Sequence, residues 1–133
     1  MKVISWNIQG AEKSQVTQEV KILAKIHKPD IVFLLETVVY DQNISKILPQ
    51  MGFDHFDYIS PNNHSGGIAV LWSNGTIYAS VLSKERRAIH MLVHDPNLAK
   101  HSIISGIYTP AQAFQKDNFW RHLIDLHHTF DLP

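Results

Sequence analysis

KVISWNIQGAEKSQVTQEVKILAKIHKPDIVFLLE, residues 2–36, is the stretch that decides the architecture. Lys2 to Trp6 is short, apolar and β-prone, and Asn7 to Gly10 behind it carries the polar and glycine residues that end strands. From Glu12 to Lys28 the apolar residues Val16, Val20, Leu23 and Ala24 recur at helical spacing, with Ile26 at the edge. His27 and Lys28 then precede a stop at Pro29. Ile31 to Leu35 is an unbroken apolar run of the kind found in strands buried on both faces, and it ends on Glu36. Strand, helix and strand in this order predict two parallel strands joined by a crossover helix.

Beyond Glu36 a short helix is expected after Asp41, through Ile44, Ile47 and Leu48, with Gly52 closing it. The pattern then turns to short β-prone runs, Phe53 to Ile59, Gly67 to Trp72, Thr76 to Leu82, Ala88 to His94 and Ser102 to Tyr108. They are separated by Pro61-Asn62-Asn63, Asn74-Gly75 and Asp95-Pro96-Asn97. Such spacing predicts an antiparallel meander, with Asn74-Gly75 as the strongest hairpin signal. Residues Lys116 to His128 read as a last helix through Phe119, Trp120, Leu123, Ile124 and Leu126.

Composition sets further bounds. At 133 residues and 44% hydrophobic content, the chain is long enough for one core and short for two domains. With no cysteine, neither a disulfide partner nor a thiolate metal site is possible, so a cation must be held by oxygen or imidazole ligands. No run approaches the roughly 20 apolar residues of a membrane span, and a soluble, intracellular protein is expected. Basic and acidic side chains number 12 each, so no global positive field holds a polyanion.

Asn7 and Glu36 stand where the first two strands end. In a parallel pair both endings lie on one edge, where ligands of such sheets bind. A carboxylate is the natural anchor for Mg²⁺, which takes one or two protein carboxylates beside waters and phosphate oxygens, and an amide beside it could orient the carboxylate or a phosphate. Taken singly, an Asn after a strand is ordinary turn chemistry and a strand-end Glu an ordinary solvated group. Ser65-Gly66-Gly67 could bring backbone close to a phosphate, or simply turn the chain. Tyr108 ends a strand just before Pro110, where it could present its phenol to a ligand or merely pack. Among nine histidines, His90 and His94 share a strand face, but no HExxH or comparable spacing supports zinc.

Together, SWNIQG, KPDIVFLLET, SGGIAVLW, GIYTP and NFWRHL resemble, in order and spacing, the endonuclease/exonuclease/phosphatase family. The nearest likeness is to the apurinic-endonuclease-like domain of plant-type non-LTR retrotransposons. The resemblance implies an α/β (α+β) sandwich of the DNase I-like type, two packed β-sheets with outer helices, of which residues 1–133 form an incomplete, N-terminal portion. It implies a phosphodiesterase using Mg²⁺ or Mn²⁺, with Glu36 and Asn7 as metal-site residues, Asn7 and Tyr108 as catalytic ones, and DNA as partner. A nuclear location follows if the parent is a eukaryotic retroelement.

Three features depart from that pattern. The family's Gly-Asp-x-Asn and Ser-Asp-His motifs, which orient the attacking water and contact the phosphate, do not occur in these residues, and Ile8-Gln9 stands where many plant elements carry Cys-Arg. An inactive or nearly inactive chain is therefore expected. An incomplete second sheet also leaves uncovered part of an apolar face, for which Ile68, Val70 and Trp72, or Ile103 and Ile107, are the candidates, and this favours self-association. The alternatives are a phosphodiesterase for phosphoinositides or another non-nucleic-acid substrate, and a binding remnant that has lost catalysis.

Overall fold

A computed structural model describes residues 1–62, 65–109, 113–130 and 132–133. The strand–helix–strand unit forms as its periodicity requires, with β1 at Val3–Asn7, α1 at Ser14–His27 and β2 at Ile31–Leu35. Helix α1 ends where Lys28 turns left-handed (φ 47°) and its N–H bonds the Ala24 carbonyl, because Pro29 cannot follow a helical residue. β1 and β2 pair in parallel, with Asn7 opposite Leu35. Helix α2 spans Asp41–Ile47 and runs into a 3₁₀ turn at Leu48–Met51 that Gly52 closes with φ 88°.

β3 (His55–Ile59) and β4 (Ile68–Trp72) complete a first sheet of order β1-β2-β4-β3. β5 (Tyr78–Glu85), β6 (Ala88–Asp95) and β7 (Lys100–Ile107) form a second, antiparallel one. The expected meander is thus split between two sheets. Asn74-Gly75 is not a hairpin turn, because both edges of β4 are occupied, Trp72 pairing with Ile31 on one side and His55 on the other. The chain must leave the sheet there, and the Asn74 side chain ties the crossing by accepting the Ala79 N–H at 3.1 Å.

Strand alternation divides the apolar residues between two cores. Val32, Leu34, Ala69 and Leu71 face the helices with Val16, Val20, Ile44, Leu48 and Met51. Ile31, Phe33, Ile68, Val70 and Trp72 point the other way, between the sheets, against Ile89, Met91 and Val93. β2 and β4 are therefore covered on both faces, which is why their sequences run unbroken in apolar residues.

The face expected for Ile103 and Ile107 is corrected by the same alternation. Their neighbour Ile104 packs between the sheets, and a Cβ on Gly106 would lie 2.1 Å from the Phe33 ring, so even-numbered positions of β7 face inward. Ile103 and Ile107 face outward, where they line a groove with Leu123 and Leu126 of the last helix, α3 (Ala113–Phe130). No described side chain of α3 is fully buried. After α3 the chain returns to the open edge of β7, where the Ile103 N–H donates to the Pro133 carbonyl at 2.6 Å. Among the described residues no helix is long and apolar enough to cross a membrane. Asn63 and Pro110, used above as turn signals, lie outside the described residues.

Candidate active site

The two sheets contribute to one end of the sandwich through different backbone devices. Three loops of the first sheet are laced together there. Ile8, Gly10 and Ala11 donate their N–H groups to the carbonyls of Leu35, Glu36 and Thr37, and Thr37 and Val38 donate to Gly67 and Gly66. The lacing imposes unusual conformations. Gln9, Glu36 and Val38 all have positive φ, at 49°, 56° and 52°. Non-glycine residues hold such angles only where surrounding contacts over-determine them, and they cluster at functional sites. Gly67 (φ 89°) has no substitute here, since a Cβ would sit 2.3 Å from the Thr37 hydroxyl oxygen.

Glu36 is set by this lacing directly beyond the end of β2, half-buried. Tyr108 follows the end of β7, and its backbone N–H is fixed to the Arg87 carbonyl at 2.9 Å. The two side chains meet across the gap between the sheets, where the Tyr108 hydroxyl donates to Glu36 Oε1 at 3.1 Å. Burial, reinforced by the hydrogen bond to Glu36 and by its charge, raises the Tyr108 pKa, while the Arg87 cation opposes the rise. The phenol therefore keeps its proton throughout the neutral range and remains a donor.

Asn7 occupies the neighbouring strand end, exposed, opposite Leu35 in the parallel register. Its Oδ1 accepts the Gln9 N–H at 3.3 Å, a local turn bond. The structure thus joins Glu36 and Tyr108 directly and sets Asn7 at the adjoining strand end, without a recorded bond to either. Ser65-Gly66-Gly67 lies beside them, lining a cavity of about 210 Å³ with Tyr108, Arg86 and Arg87. The two arginines escaped the sequence reading, which ended the preceding strand at Leu82. The strand runs on to Glu85, opposite Ala88, so Arg86-Arg87 is the two-residue turn between them, and the pair of like charges between two β-prone runs was the available signal.

Among the described residues no group of three or more His, Asp or Glu is arranged to hold a metal ion. Glu36 and Asn7 offer one carboxylate and one amide oxygen. That set suits a hard cation such as Mg²⁺ or Mn²⁺, which keeps several waters and takes further ligands from phosphate, and does not suit an ion needing a closed protein cage. His90 and His94, the other candidates, sit on the outer face of the second sheet. His90 is fully buried, with Nδ1 2.7 Å from the Ser105 hydroxyl. Its Nε2 is 3.2 Å from Glu85 Oε1, though not aligned for a hydrogen bond, and Glu85 Oε2 lies 2.7 Å from His122 Nε2 on α3. His94 stacks on His101 at 4.5 Å between ring centroids.

The sequence model of the Endonuclease/Exonuclease/phosphatase family matches residues 4–124, nearly the whole chain. The chain belongs to that family. Solved structures agree on the fold of this endonuclease/exonuclease/phosphatase chain. An AP endonuclease from Leishmania major is similar at 15% identity and a TM-score of 0.60, over 82% of this chain and 40% of that one. The human Nocturnin catalytic domain is similar at 18% identity and 0.62, over 96% and 59%. The 3′-5′ exonuclease NExo from Neisseria meningitidis is similar at 17% and 0.58, over 94% and 50%. The fold, two packed sheets with outer helices, is DNase I-like. The chain spans about half the length of these structures, and no curated protein sequence matches it.

Proposed function

We propose that this chain carries part of the active site of a divalent-metal-dependent phosphodiesterase acting on nucleic acid, with DNA nicking for a retroelement as its specific form. The observation that supports the reading most is the Tyr108–Glu36 hydrogen bond, which draws residues 72 apart in sequence to the carboxyl edge of the parallel strands. In this proposal Glu36 anchors Mg²⁺ or Mn²⁺ through Oε2, since Oε1 is engaged by Tyr108, and Asn7 orients the carboxylate or a phosphate oxygen. Tyr108, kept protonated, has a single O–H to give, which holds Glu36 Oε1 in the free chain and turns to a phosphate oxygen when substrate binds beside it. A bound cation would supply stabilisation of the charge that builds on the phosphate. Positioning of the attacking water is not assigned to any residue of this chain, so the isolated 133 residues are inactive or nearly so.

Titration with Mn²⁺ followed by NMR tests the reading. Paramagnetic broadening is expected around Asn7, Glu36 and Tyr108, with weak affinity that Glu36→Gln removes. Broadening centred elsewhere, or unchanged by Glu36→Gln, overturns it.

A further inference from the structure

The outer face of the second sheet carries a serine, a histidine and a carboxylate in successive contact. Ser105 and His90 stand directly opposite each other on β7 and β6. The Ile103 N–H turns away from β6 to the Pro133 carbonyl and the Tyr108 N–H turns to the Arg87 carbonyl, so odd-numbered N–H groups of β7 point away from β6. Ser105 and His90 are thus a pair without backbone bonds between them, the kind that brings side chains closest, and Ser105 Oγ lies 2.7 Å from His90 Nδ1. His90 Nε2 lies 3.2 Å from Glu85 Oε1, off the axis of a hydrogen bond but within reach of the carboxylate charge. A carboxylate only accepts, so the proton of the neutral ring belongs on Nε2, and Nδ1 presents its lone pair to the Ser105 O–H. Glu85 is in turn fixed by His122 Nε2 of α3, 2.7 Å from its Oε2.

His90 is fully buried, but Ser105 is only half-buried and lines the groove of about 210 Å³ beneath α3, with Ile107, Leu123 and Leu126 among its walls. Its N–H points to the β7 edge, where Leu132 and Pro133 form a further wall. A backbone N–H beside the attacking oxygen is a donor of the kind that stabilises the oxyanion of acyl transfer. A hydroxyl about 2.6–3.2 Å from a base that a third group orients is the arrangement of an activated nucleophile, and an apolar groove beside it suits an acyl chain. A network that only pinned α3 would share the distances but not the reactivity.

We propose that Ser105, His90 and Glu85 form a second reactive site, independent of the phosphodiesterase reading, that takes the acyl group of short apolar carboxylic esters. Ser105 Oγ attacks the ester carbonyl carbon while its proton passes to His90 Nδ1. The carbonyl oxygen takes up negative charge beside the Ser105 N–H. The C–O bond to the alcohol then breaks, the alcohol leaves with the proton from His90, and Ser105 holds the acyl group. Water attacks the acyl carbon and gives its proton to His90, and the acid departs as Ser105 regains a proton from His90. Ser105 and His90 are the catalytic residues of this site, and Glu85 positions the imidazole.

The test incubates the 133-residue chain with an alkyl fluorophosphonate and maps the adduct by peptide mass spectrometry. The reagent forms a bond from Ser105 Oγ to phosphorus, with loss of fluoride and of the proton that His90 accepts. Ser105 should carry the label, and Ser80, exposed on β5, should not. His90→Gln should slow labelling about a hundredfold, the lower end of what a positioned general base supplies. Glu85→Gln should slow it about tenfold, whereas His122→Ala, which loses the same tie to α3, should change it less than about twofold. Equal effects of the two would mean that the network only pins the helix. Hydrolysis of para-nitrophenyl butyrate should show an initial burst of nitrophenol that Ser105→Ala abolishes. No adduct on Ser105, an adduct on Ser80 or His127 in its place, or labelling indifferent to a folded His90→Gln overturns the proposal. If His90→Gln does not fold, the wild-type adduct and the Ser105→Ala burst, which needs only the loss of a hydroxyl, decide it.

Discussion

The first sheet and the last helix of this chain are built from similar residues and covered very differently. In the first sheet, Ile31, Val32, Leu34, Ala69, Val70 and Leu71 are completely shielded, because helices lie on one face and a second sheet on the other. Helix α3 also carries large apolar side chains, yet Phe119, Leu123 and Leu126 are only half-buried and Trp120, Ile124 and Phe130 are exposed. Burial, not composition, sets what a residue contributes. Stability should therefore be concentrated at β2 and β4, and α3 should be held loosely by one groove and the Glu85–His122 pair.

The sharpest way to break this comparison is to shorten one leucine in each region. Leu34→Ala should destabilise the chain by about 2–5 kcal/mol, transfer and cavity terms together, whereas Leu126→Ala should cost about 1 kcal/mol or less. Urea denaturation followed by circular dichroism checks both, and equal losses would mean that α3 is as firmly docked as the sheet.

A second prediction sharpens the same contrast at the surface. The edge of β7, capped by Pro133 only at the Ile103 N–H, and the exposed stripe of α3 offer backbone and apolar area together, so the chain should self-associate as its concentration rises. Light scattering should show this, and Trp120→Lys combined with Ile124→Lys should reduce it. A concentration-independent monomer mass in the wild type would remove the idea.

Much of the first sheet was legible because one rule, an unbroken apolar run between turn signals, identifies a strand covered on both faces. Ile31 to Leu35 was read that way. Ile68 to Trp72 obeys the same rule, and applying it there would have placed β4 centrally beside β2 and denied Asn74-Gly75 a hairpin. The turn signal prevailed in the reading because it is local, whereas occupancy of both strand edges is a property of the assembled sheet. The outward face of Ile103 and Ile107 was hidden for a related reason. β7 carries isoleucine on both faces, at 103, 104 and 107, and only the fit of Gly106 over Phe33 decides between them. Asn7, Glu36 and Tyr108 were singled out from their strand-end positions, and each does lie at or just beyond a strand end, but the hydrogen bond between the last two depends on how the sheets stack, which no periodicity encodes.

The smallest expected effect concerns that hydrogen bond. A tyrosine pKa raised in the folded state contributes stability that is fully present below its ordinary value, about 10, and is lost as pH climbs through the folded value. Tyr108→Phe should cost about 1 kcal/mol at neutral pH, since the pair is partly open to water, and should flatten the loss of stability in alkaline solution. Thermal melts across the alkaline range give the answer, and identical profiles for the two proteins would show that the pair contributes nothing.

Because Tyr108 follows the last strand of one sheet and Glu36 the second strand of the other, their contact has a place in time as well as in space. The strand–helix–strand unit can nucleate from neighbours along the chain, and each hairpin of the second sheet can zip from its own turn. The phenol meets the carboxylate only once both sheets have formed and closed on each other, after the slowest class of event in a chain dominated by non-local strand pairing. Any ligand that needs both groups thus binds only the fully folded molecule, and by mass action its binding stabilises the closed pair of sheets.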